Sequence, residues 1–318
     1  MTERIVGRRP QVPSAELVAT LAVTPHFAQA TFDAYVPDPA FPSQADALKA
    51  SRAFAKAASA RRPTGRGLYL DGGFGVGKTH LLAAMAHAVG GRAAFGTFLE
   101  YTNLVGALGF ATARDELANF RLVCIDEFEL DDPGDTLLMA RLIRELTDAG
   151  VAVAATSNTP PGALGEGRFA AEDFAREIQG LAARFDAVMI DGPDYRHRES
   201  LAPPPPATED EVDAVASLPG GIVEEWGALV ADLAHVHPSR YSAYIAGCEV
   251  LGLRDVAALP GHNEALRLVM LVDRLYDEDV RLVASGLPLG DIFSPDMLTS
   301  GYRKKYLRAQ SRLHALAD

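Results

Sequence analysis

The sequence has few cysteines, no excess of basic residues and no long apolar run. Among 318 residues only Cys124 and Cys248 are cysteines, which is too few for a disulfide framework, and they lack the spacing of metal ligands. The formal net charge of -12 argues against a strongly basic nucleic-acid-binding surface and leaves only a local basic patch open. Without a run of about 18 apolar residues or a secretory signal, the sequence predicts a cytoplasmic protein with no transmembrane segment.

A complete phosphate-binding loop, Gly-x-x-x-x-Gly-Lys-Thr, occupies residues 72–79 directly after the strand-like residues 68–71. Its glycines let backbone N–H groups point at phosphate oxygens, while Lys78 reaches the β- and γ-phosphates and the Thr79 hydroxyl is a ligand for Mg²⁺. Apolar residues at helical spacing over 81–89 predict a helix whose positive end faces the phosphates. The residues predicted to hold the nucleotide, which we take to be ATP, are Gly72, Gly73, Phe74, Gly75, Val76, Gly77, Lys78, Thr79 and His80.

An acidic pair ends a second apolar run. Residues 122–125 are typical of a buried parallel strand, and Asp126 and Glu127 follow at once. In P-loop ATPases the Asp holds Mg²⁺ and the adjacent Glu orients and deprotonates the attacking water. An acidic pair that merely closes a strand is the alternative, but the preceding phosphate loop favours a metal ligand and a general base.

A third apolar run, residues 151–155, ends in a hydroxyl and amide cluster that includes Asn158. An amide at this point can hydrogen-bond the terminal phosphate and the lytic water, and can thus sense hydrolysis. A turn-forming Asn before Pro160 and Pro161 is the alternative. The position of Asn158 after two matched motifs favours the sensor.

Periodicity predicts alternating strands and helices. The predicted strands lie near 68–71, 93–98, 121–125, 151–156 and 187–190. The predicted helices lie near 43–60, 79–89, 100–109, 135–149 and 171–183. This alternation predicts an α/β fold, a three-layer sandwich with a parallel sheet covered on both faces.

The chain is predicted to have three parts, and its 48% hydrophobic content suffices for one large or two modest domains. Residues 1–65 form an N-terminal segment that flanks the nucleotide site, and residues 66–200 form the P-loop core. Four prolines at 203–206 form a stiff spacer. Residues 201–318 form a mostly helical part with one strand near 280–283. No internal repeat is visible.

The motifs resemble those of the ZapE cell-division ATPases, a branch of the AAA+ superfamily with mitochondrial relatives that act in membrane-protein quality control. The resemblance runs from about residue 28 to the C terminus. It rests on the three motifs above and on three further blocks: Asp194-Tyr195-Arg196-His197-Arg198, Leu271-Val272-Asp273-Arg274-Leu275-Tyr276-Asp277 and Ser311-Arg312-Leu313. It implies a Mg²⁺-dependent AAA+ ATPase that remodels partner proteins, in bacteria FtsZ polymers, as a nucleotide-dependent homo-oligomer.

The resemblance also suggests residues beyond the three motifs. The family carries an arginine after the sensor that suits a finger for a neighbouring subunit's ATP. Here the sequence departs from that pattern, and Arg168 is the finger candidate, with Arg176 and Arg184 nearby. The family's aromatic segment before the phosphate loop packs near the adenine, and three residues occupy comparable places, with core packing as the alternative. They are Phe32, Tyr35 and Gln44.

Other functions share these motifs. Helicase-loading AAA+ ATPases carry the first three, although the acidic composition and the downstream blocks argue against a loader. A quality-control ATPase, like the mitochondrial relatives, is a further alternative. The last is a nucleotide-gated switch that hydrolyses rarely, which Glu127 argues against.

Overall fold

A computed structural model describes residues 4–60, 67–129, 133–161, 164, 175–195 and 205–317. The chain forms two compact units. The first, which we call the ATPase unit after the ATPase motifs predicted in it, is Pro13–Arg198, and the second, the C-terminal unit, combines Met1–Val12 with Glu199–Asp318. The first twelve residues thus belong with the C-terminal part of the chain, whereas the sequence-based division placed 1–65 beside the nucleotide site.

The helices and strands within the described residues have the following bounds. The helices are α1 Ser14–Ala19, α2 Pro42–Ser59, α3 Lys78–Val89, α4 Phe98–Leu108, α5 Phe110–Leu117, α6 Pro133–Asp148, α7 Ala175–Ala182, α8 Glu209–Ala214, α9 Trp226–Asp232, α10 Tyr241–Ile245, α11 His262–Asp277, α12 Pro295–Thr299 and α13 Arg303–Ala317. The strands are β1 Gly67–Gly72, β2 Ala93–Thr97, β3 Leu122–Asp126, β4 Ala152–Ser157, β5 Phe185–Ile190, β6 Gly221–Glu225, β7 Val250–Val256 and β8 Arg281–Gly286.

The ATPase unit is built on a five-stranded parallel sheet in the order β2-β3-β4-β1-β5. Its central strands β3 and β4 are buried along their whole length, which explains why they are apolar without alternation. The α/β prediction is confirmed, including all five strands. Because β1, β3 and β4 are neighbours, the sheet brings the carboxyl ends that carry the three motifs to one edge.

The C-terminal unit contains a three-stranded parallel sheet in the order β6-β7-β8. Helix α13 packs against α11 and β8. The predicted strand near 280–283 corresponds to β8, and the unit contains more helix than strand, in line with the prediction. Strands β6 and β7 are additional, and their glycines and charged residues obscure the apolar pattern that would have predicted them.

Residues 4–10, which we call the N-terminal strap, bind two carboxylates of the C-terminal unit. The fully buried side chain of Glu224 accepts hydrogen bonds from the Ile5 N–H at 2.6 Å and forms an ion pair with Arg4 at 2.9 Å. Asp232 accepts from the Gly7 N–H at 2.9 Å and pairs with Arg9 at 2.6 Å. Buried carboxylates are stable only when paired and hydrogen-bonded, so the strap is an integral part of this unit.

None of the helices in the described part of the chain has the length and the apolar content needed to cross a bilayer.

Candidate nucleotide site

The phosphate loop links the end of β1 to the start of α3, and its glycines are required by geometry. Gly75 and Gly77 have φ values of +69° and +90°, a region that side chains other than glycine rarely adopt. A methyl group on Gly77 would lie 2.6 Å from Cε2 of Tyr35, and one on Gly75 would overlap the Asp194 carboxylate. The loop therefore passes between two flanking segments that leave no room for side chains at these two positions.

Lys78 connects the phosphate loop to the predicted sensor. Its buried ammonium donates to the Gly72 carbonyl at 3.0 Å and to Oδ1 of Asn158 at 2.9 Å. Asn158 lies just beyond β4, and β4 pairs directly with β1. The adjacent strands thus bring the loop lysine and the Asn158 amide, 80 residues apart in sequence, into contact.

Asp126 lies at the centre of a hydroxyl–carboxylate cluster. The Thr79 hydroxyl donates to Oδ1 of Asp126 at 3.1 Å, and the Thr156 hydroxyl donates to the same oxygen. Asp126 is buried at the end of β3, beside Thr156 on β4. Hydroxyl and carboxylate oxygens are the ligand types that Mg²⁺ prefers, so the Thr79–Asp126 pair fits a magnesium ion that also binds phosphate oxygens.

The backbone of Glu127 adopts a left-handed conformation, with a φ of +53°. Such a conformation costs a non-glycine residue roughly 1–2 kcal/mol and is retained only where the surroundings enforce it. Here the Glu127 N–H donates to the Thr156 hydroxyl at 3.2 Å, and the next N–H, of Phe128, donates to the Thr156 carbonyl at 2.7 Å. The fully buried Phe128 ring packs edge-to-face on Tyr69 and Phe98. Glu127 is therefore held at a fixed point of the sheet edge.

An N-terminal segment covers one side of the phosphate loop. The Tyr35 hydroxyl donates to the Val76 carbonyl at 3.1 Å, and the Tyr35 and His80 rings lie 5.8 Å apart. A ring nitrogen of His80 lies 2.8 Å from the Thr31 carbonyl. Burial raises the pKa of Tyr35 to about 12, so its phenol stays a neutral donor. Phe32 packs against the apolar core of the unit.

The segment after β5 covers the loop from the other side. Buried Gln44 accepts from the Asp38 N–H at 2.8 Å and donates to the Asp191 carbonyl at 2.9 Å. The Tyr195 hydroxyl donates to Asp38 at 2.8 Å, and the pKa of Asp38 is lowered by hydrogen bonds from the Ala40 N–H and from this hydroxyl. Sequence reasoning identified Gln44 but missed Asp38, because no motif near Asp38 indicates a role. Its contacts with Gln44 and Tyr195 appear only in the structure.

The arginines proposed as fingers have different surroundings. Arg168 lies outside the described residues, as do Arg196 and Arg198 of the block after β5. Arg184 donates to the Thr147 hydroxyl at 2.7 Å and to Asp148 at 2.8 Å, at the end of α6. Arg184 therefore has a structural role within its own chain, while Arg176 is exposed on α7.

A parallel sheet whose central strands carry a phosphate loop, an acidic pair and a polar residue in contact with the loop lysine defines a P-loop nucleoside triphosphatase. The family model of the AFG1-like ATPases matches residues 11–217 and 214–318. The chain belongs to the AFG1-like ATPase family and is an ATP-hydrolysing enzyme.

Individual relatives agree with this membership. The chain is 28% identical over 292 residues to the cell division protein ZapE of Escherichia coli K12, covering 77% of each chain. It is 37% identical over 79 residues to lactation elevated protein 1 homolog B of Danio rerio, covering 24% of this chain and 16% of that one.

Among solved structures, the chain is similar to DnaI, with 20% identity, a TM-score of 0.46 and coverage of 55% of this chain and 94% of that one. It is also similar to domain III of the replication initiation protein DnaA of Thermotoga maritima, with 23% identity, a TM-score of 0.43 and coverage of 54% and 71%.

Proposed function

We propose that the chain is a Mg²⁺-dependent AAA+ ATPase that hydrolyses ATP at the edge formed by β1, β3 and β4 and uses the cycle to remodel partner proteins. The observation that carries this proposal is the junction of Lys78, Asn158, Asp126 and Glu127 at one sheet edge, since these side chains come from three separate motifs. Backbone N–H groups of residues 72–77 and the start of α3 bind the phosphates, and Lys78 exchanges its carbonyl partners for β- and γ-phosphate oxygens.

Thr79 and Asp126 would hold the magnesium ion, which neutralises phosphate charge when bound. Thr156 fixes the Asp126 carboxylate, so that the ligand oxygens are oriented beforehand. Glu127 accepts a proton from the attacking water, and its constrained backbone limits where its carboxylate can lie. When Lys78 binds phosphate oxygens, Asn158 loses its contact with the lysine. Its amide is then free to bind the γ-phosphate, so that loss of this phosphate is transmitted to the chain after β4.

An arginine from a neighbouring subunit completes the site. In related phosphoryl-transfer sites such an arginine is worth about a thousandfold or more in rate, so an isolated subunit should be nearly inactive. Arg168 remains our candidate, with Arg176 as the exposed alternative on α7. Mixing two inactive variants tests the role: Lys78→Ala subunits can still donate an arginine, whereas Arg168→Ala subunits can still bind ATP. Recovery of turnover when Lys78→Ala and Arg168→Ala subunits are mixed supports Arg168 as the trans arginine. Recovery only when Arg176→Ala takes the place of Arg168→Ala in the mixture would assign that role to Arg176.

The client that we propose is the FtsZ polymer of the division ring, in the cytoplasm. Support comes from the resemblance in sequence to ZapE, a cell division protein, over most of both chains. The same resemblance supports a nucleotide-dependent homo-oligomer as the working form.

The experiment measures steady-state ATP hydrolysis against protein concentration, with and without polymerised FtsZ. We expect turnover per subunit to rise with concentration and with FtsZ, and to fall at least a hundredfold in Glu127→Gln. Glu129→Gln is the matched control, because it makes the same chemical change two residues away. A low rate that ignores concentration, FtsZ and Glu127→Gln alike would contradict the mechanism and favour a nucleotide-gated switch.

A further inference from the structure

The sheet of the C-terminal unit repeats three of the five strands of the ATPase sheet. In the ATPase unit β2, β3 and β4 are consecutive, parallel and adjacent, and in the C-terminal unit so are β6, β7 and β8. Adding 128 to the residue numbers of β2 and of β3 gives the bounds of β6 and the start of β7. The sequence shows no visible internal repeat, so this correspondence lies in the backbone.

The register of the strands is repeated as well. Ala93 pairs with Leu122 and Thr97 with Asp126 in the ATPase unit. The pairs 128 residues later, Gly221 with Val250 and Glu225 with Arg254, occur in the C-terminal unit. The second pairing is repeated with an offset of 129, because Leu122–Ala152 corresponds to Val250–Arg281. The one extra residue lies before β8, in the connection from β7. The connecting helices α6 and α11 each have 16 residues.

An unusual local feature recurs at the same place. Glu127 has a φ of +53°, and so does Asp255, 128 residues later and likewise at the carboxyl end of its strand. The Glu127 N–H donates to the Thr156 hydroxyl on the next strand at 3.2 Å. The Asp255 N–H donates to the Ser285 hydroxyl on its next strand at 3.4 Å. Only three non-glycine residues in the described chain have positive φ, so the coincidence of conformation, partner and position is specific.

The chemistry of the site has not been repeated. Arg254 stands at the position of Asp126, and it forms ion pairs with Asp213 and with Glu225, the latter at 3.0 Å. Leu287 stands at the position of Asn158, and the sequence after residue 198 contains no second Gly-x-x-x-x-Gly-Lys-Thr. In the ATPase unit β4 pairs with β1 on its outer side. On the corresponding side of β8, the Ala284 carbonyl instead accepts a hydrogen bond at 2.8 Å from the Ala207 N–H.

We infer that residues 221–286 are a degenerate internal copy of residues 93–157, in which the scaffold of the catalytic strands is retained and the nucleotide site is lost. An intramolecular arginine–carboxylate cluster occupies the strand edge that binds metal and phosphate in the ATPase unit. We therefore expect the chain to bind one nucleotide, at residues 72–79, and residues 221–286 to form no second nucleotide site.

Nucleotide stoichiometry tests this inference directly. Isothermal titration of the full-length Glu127→Gln chain with Mg²⁺ and ATP measures binding without turnover. We expect one ATP per chain, and none when Lys78→Ala is added. Two ATP per chain, or saturable binding in the Lys78→Ala chain that Arg254→Ala removes, would overturn the inference by revealing a working second site.

Matched substitutions give a second test. Thr156→Ala and Ser285→Ala remove corresponding hydroxyls, and Glu127→Gln and Asp255→Asn neutralise corresponding carboxylates. We expect turnover to fall at least tenfold in Thr156→Ala and at least a hundredfold in Glu127→Gln. The two C-terminal variants should stay within about twofold of the native chain. A tenfold loss of kcat in Asp255→Asn at an unchanged melting temperature would show that the copy still takes part in hydrolysis.

Discussion

The hydroxyl of Thr156 contacts both residues of the acidic pair, donating to the Asp126 carboxylate and accepting from the Glu127 N–H. We expect Thr156→Ala to lower kcat for ATP at least tenfold, because the Asp126 carboxylate and the Glu127 backbone both lose the hydroxyl that positions them. Thr156→Ser keeps the hydroxyl and should retain most of the activity. Steady-state kinetics of the two variants checks this; native turnover in Thr156→Ala would show that the hydroxyl does not position the pair.

Two glycines of the phosphate loop differ in what they tolerate. Gly75 has a φ of +69° and lies against Asp194, whereas a methyl group on Gly73 would have Val76 as its nearest neighbour, at 3.9 Å. We expect Gly75→Ala to lower the stability of the nucleotide-free protein by about 2 kcal/mol and Gly73→Ala to change it little. Thermal unfolding without nucleotide measures both. Equal melting temperatures for the two variants would contradict the close contact between the loop and Asp194.

At the residue scale, sequence reasoning identified the motif residues because their spacing encodes chemistry. It did not assign a role to Thr156, since a threonine at a strand end is common and only the pairing of β3 with β4 gives it two partners. Nor did it find Asp38, whose partner Tyr195 is 157 residues away. The predicted roles of Lys78, Glu127, Asn158 and Arg168 remain predictions.

Helices α11 and α13 are joined by one carboxylate and two guanidinium groups. Asp273 pairs with Arg308 at 2.8 Å and with Arg312, whose guanidinium lies 5.0 Å from the centre of the Tyr276 ring. This contact brings together the two downstream family blocks singled out in the sequence. Their shared function is thus at least structural: they fix the last helix of the C-terminal unit.

Removing the shared carboxylate should be costly. We expect Asp273→Asn to destabilise the C-terminal unit by about 2–3 kcal/mol. This is less than the cost of breaking a fully buried ion pair, because all three side chains are partly exposed. Urea denaturation followed by circular dichroism measures the change. Glu264→Gln, at the start of the same helix, is the control and should cost less than about 1 kcal/mol. A cost for Asp273→Asn no larger than that of the control would show that the pairs are not stabilising.

At the element scale, apolar strands that are buried on both faces were predictable, whereas β6 and β7 were not. The sequence of β6 is Gly-Ile-Val-Glu-Glu, and its buried Glu224 reads as a surface residue until the N-terminal strap is present to pair with it. Whether residues 221–225 form a buried strand therefore depends on the distant N-terminal strap, and the sequence close to β6 does not contain that information.

The strap makes the stability of the whole molecule sensitive to acid. Burial opposes ionisation of Asp232, but Arg9, the Gly7 N–H and the Tyr244 hydroxyl outweigh it and hold the pKa of Asp232 at about 2, below the ordinary value of 3.8. A lowered pKa contributes stability above the ordinary value and loses it as the pH falls toward 2. The expected contribution is about 2 kcal/mol.

The pH dependence can be isolated by a variant. We expect Asp232→Asn to be about 2 kcal/mol less stable than the native chain at pH 6, and this difference to shrink steadily between pH 4 and pH 2.5. Denaturant unfolding at several pH values gives the difference between the two proteins. A difference that is independent of pH would show that lost packing, not lost charge, explains the effect of the substitution.

The strap also has a consequence during synthesis. Ile5 and its partner Glu224 are separated by 219 residues, and the whole ATPase unit lies between them in the chain. At ribosomal rates of about 5–20 residues per second, the first residues wait roughly ten to forty seconds for their partner. The ATPase unit can fold on the ribosome during that interval, whereas the C-terminal unit, which needs the strap together with the residues after 205, completes its folding last.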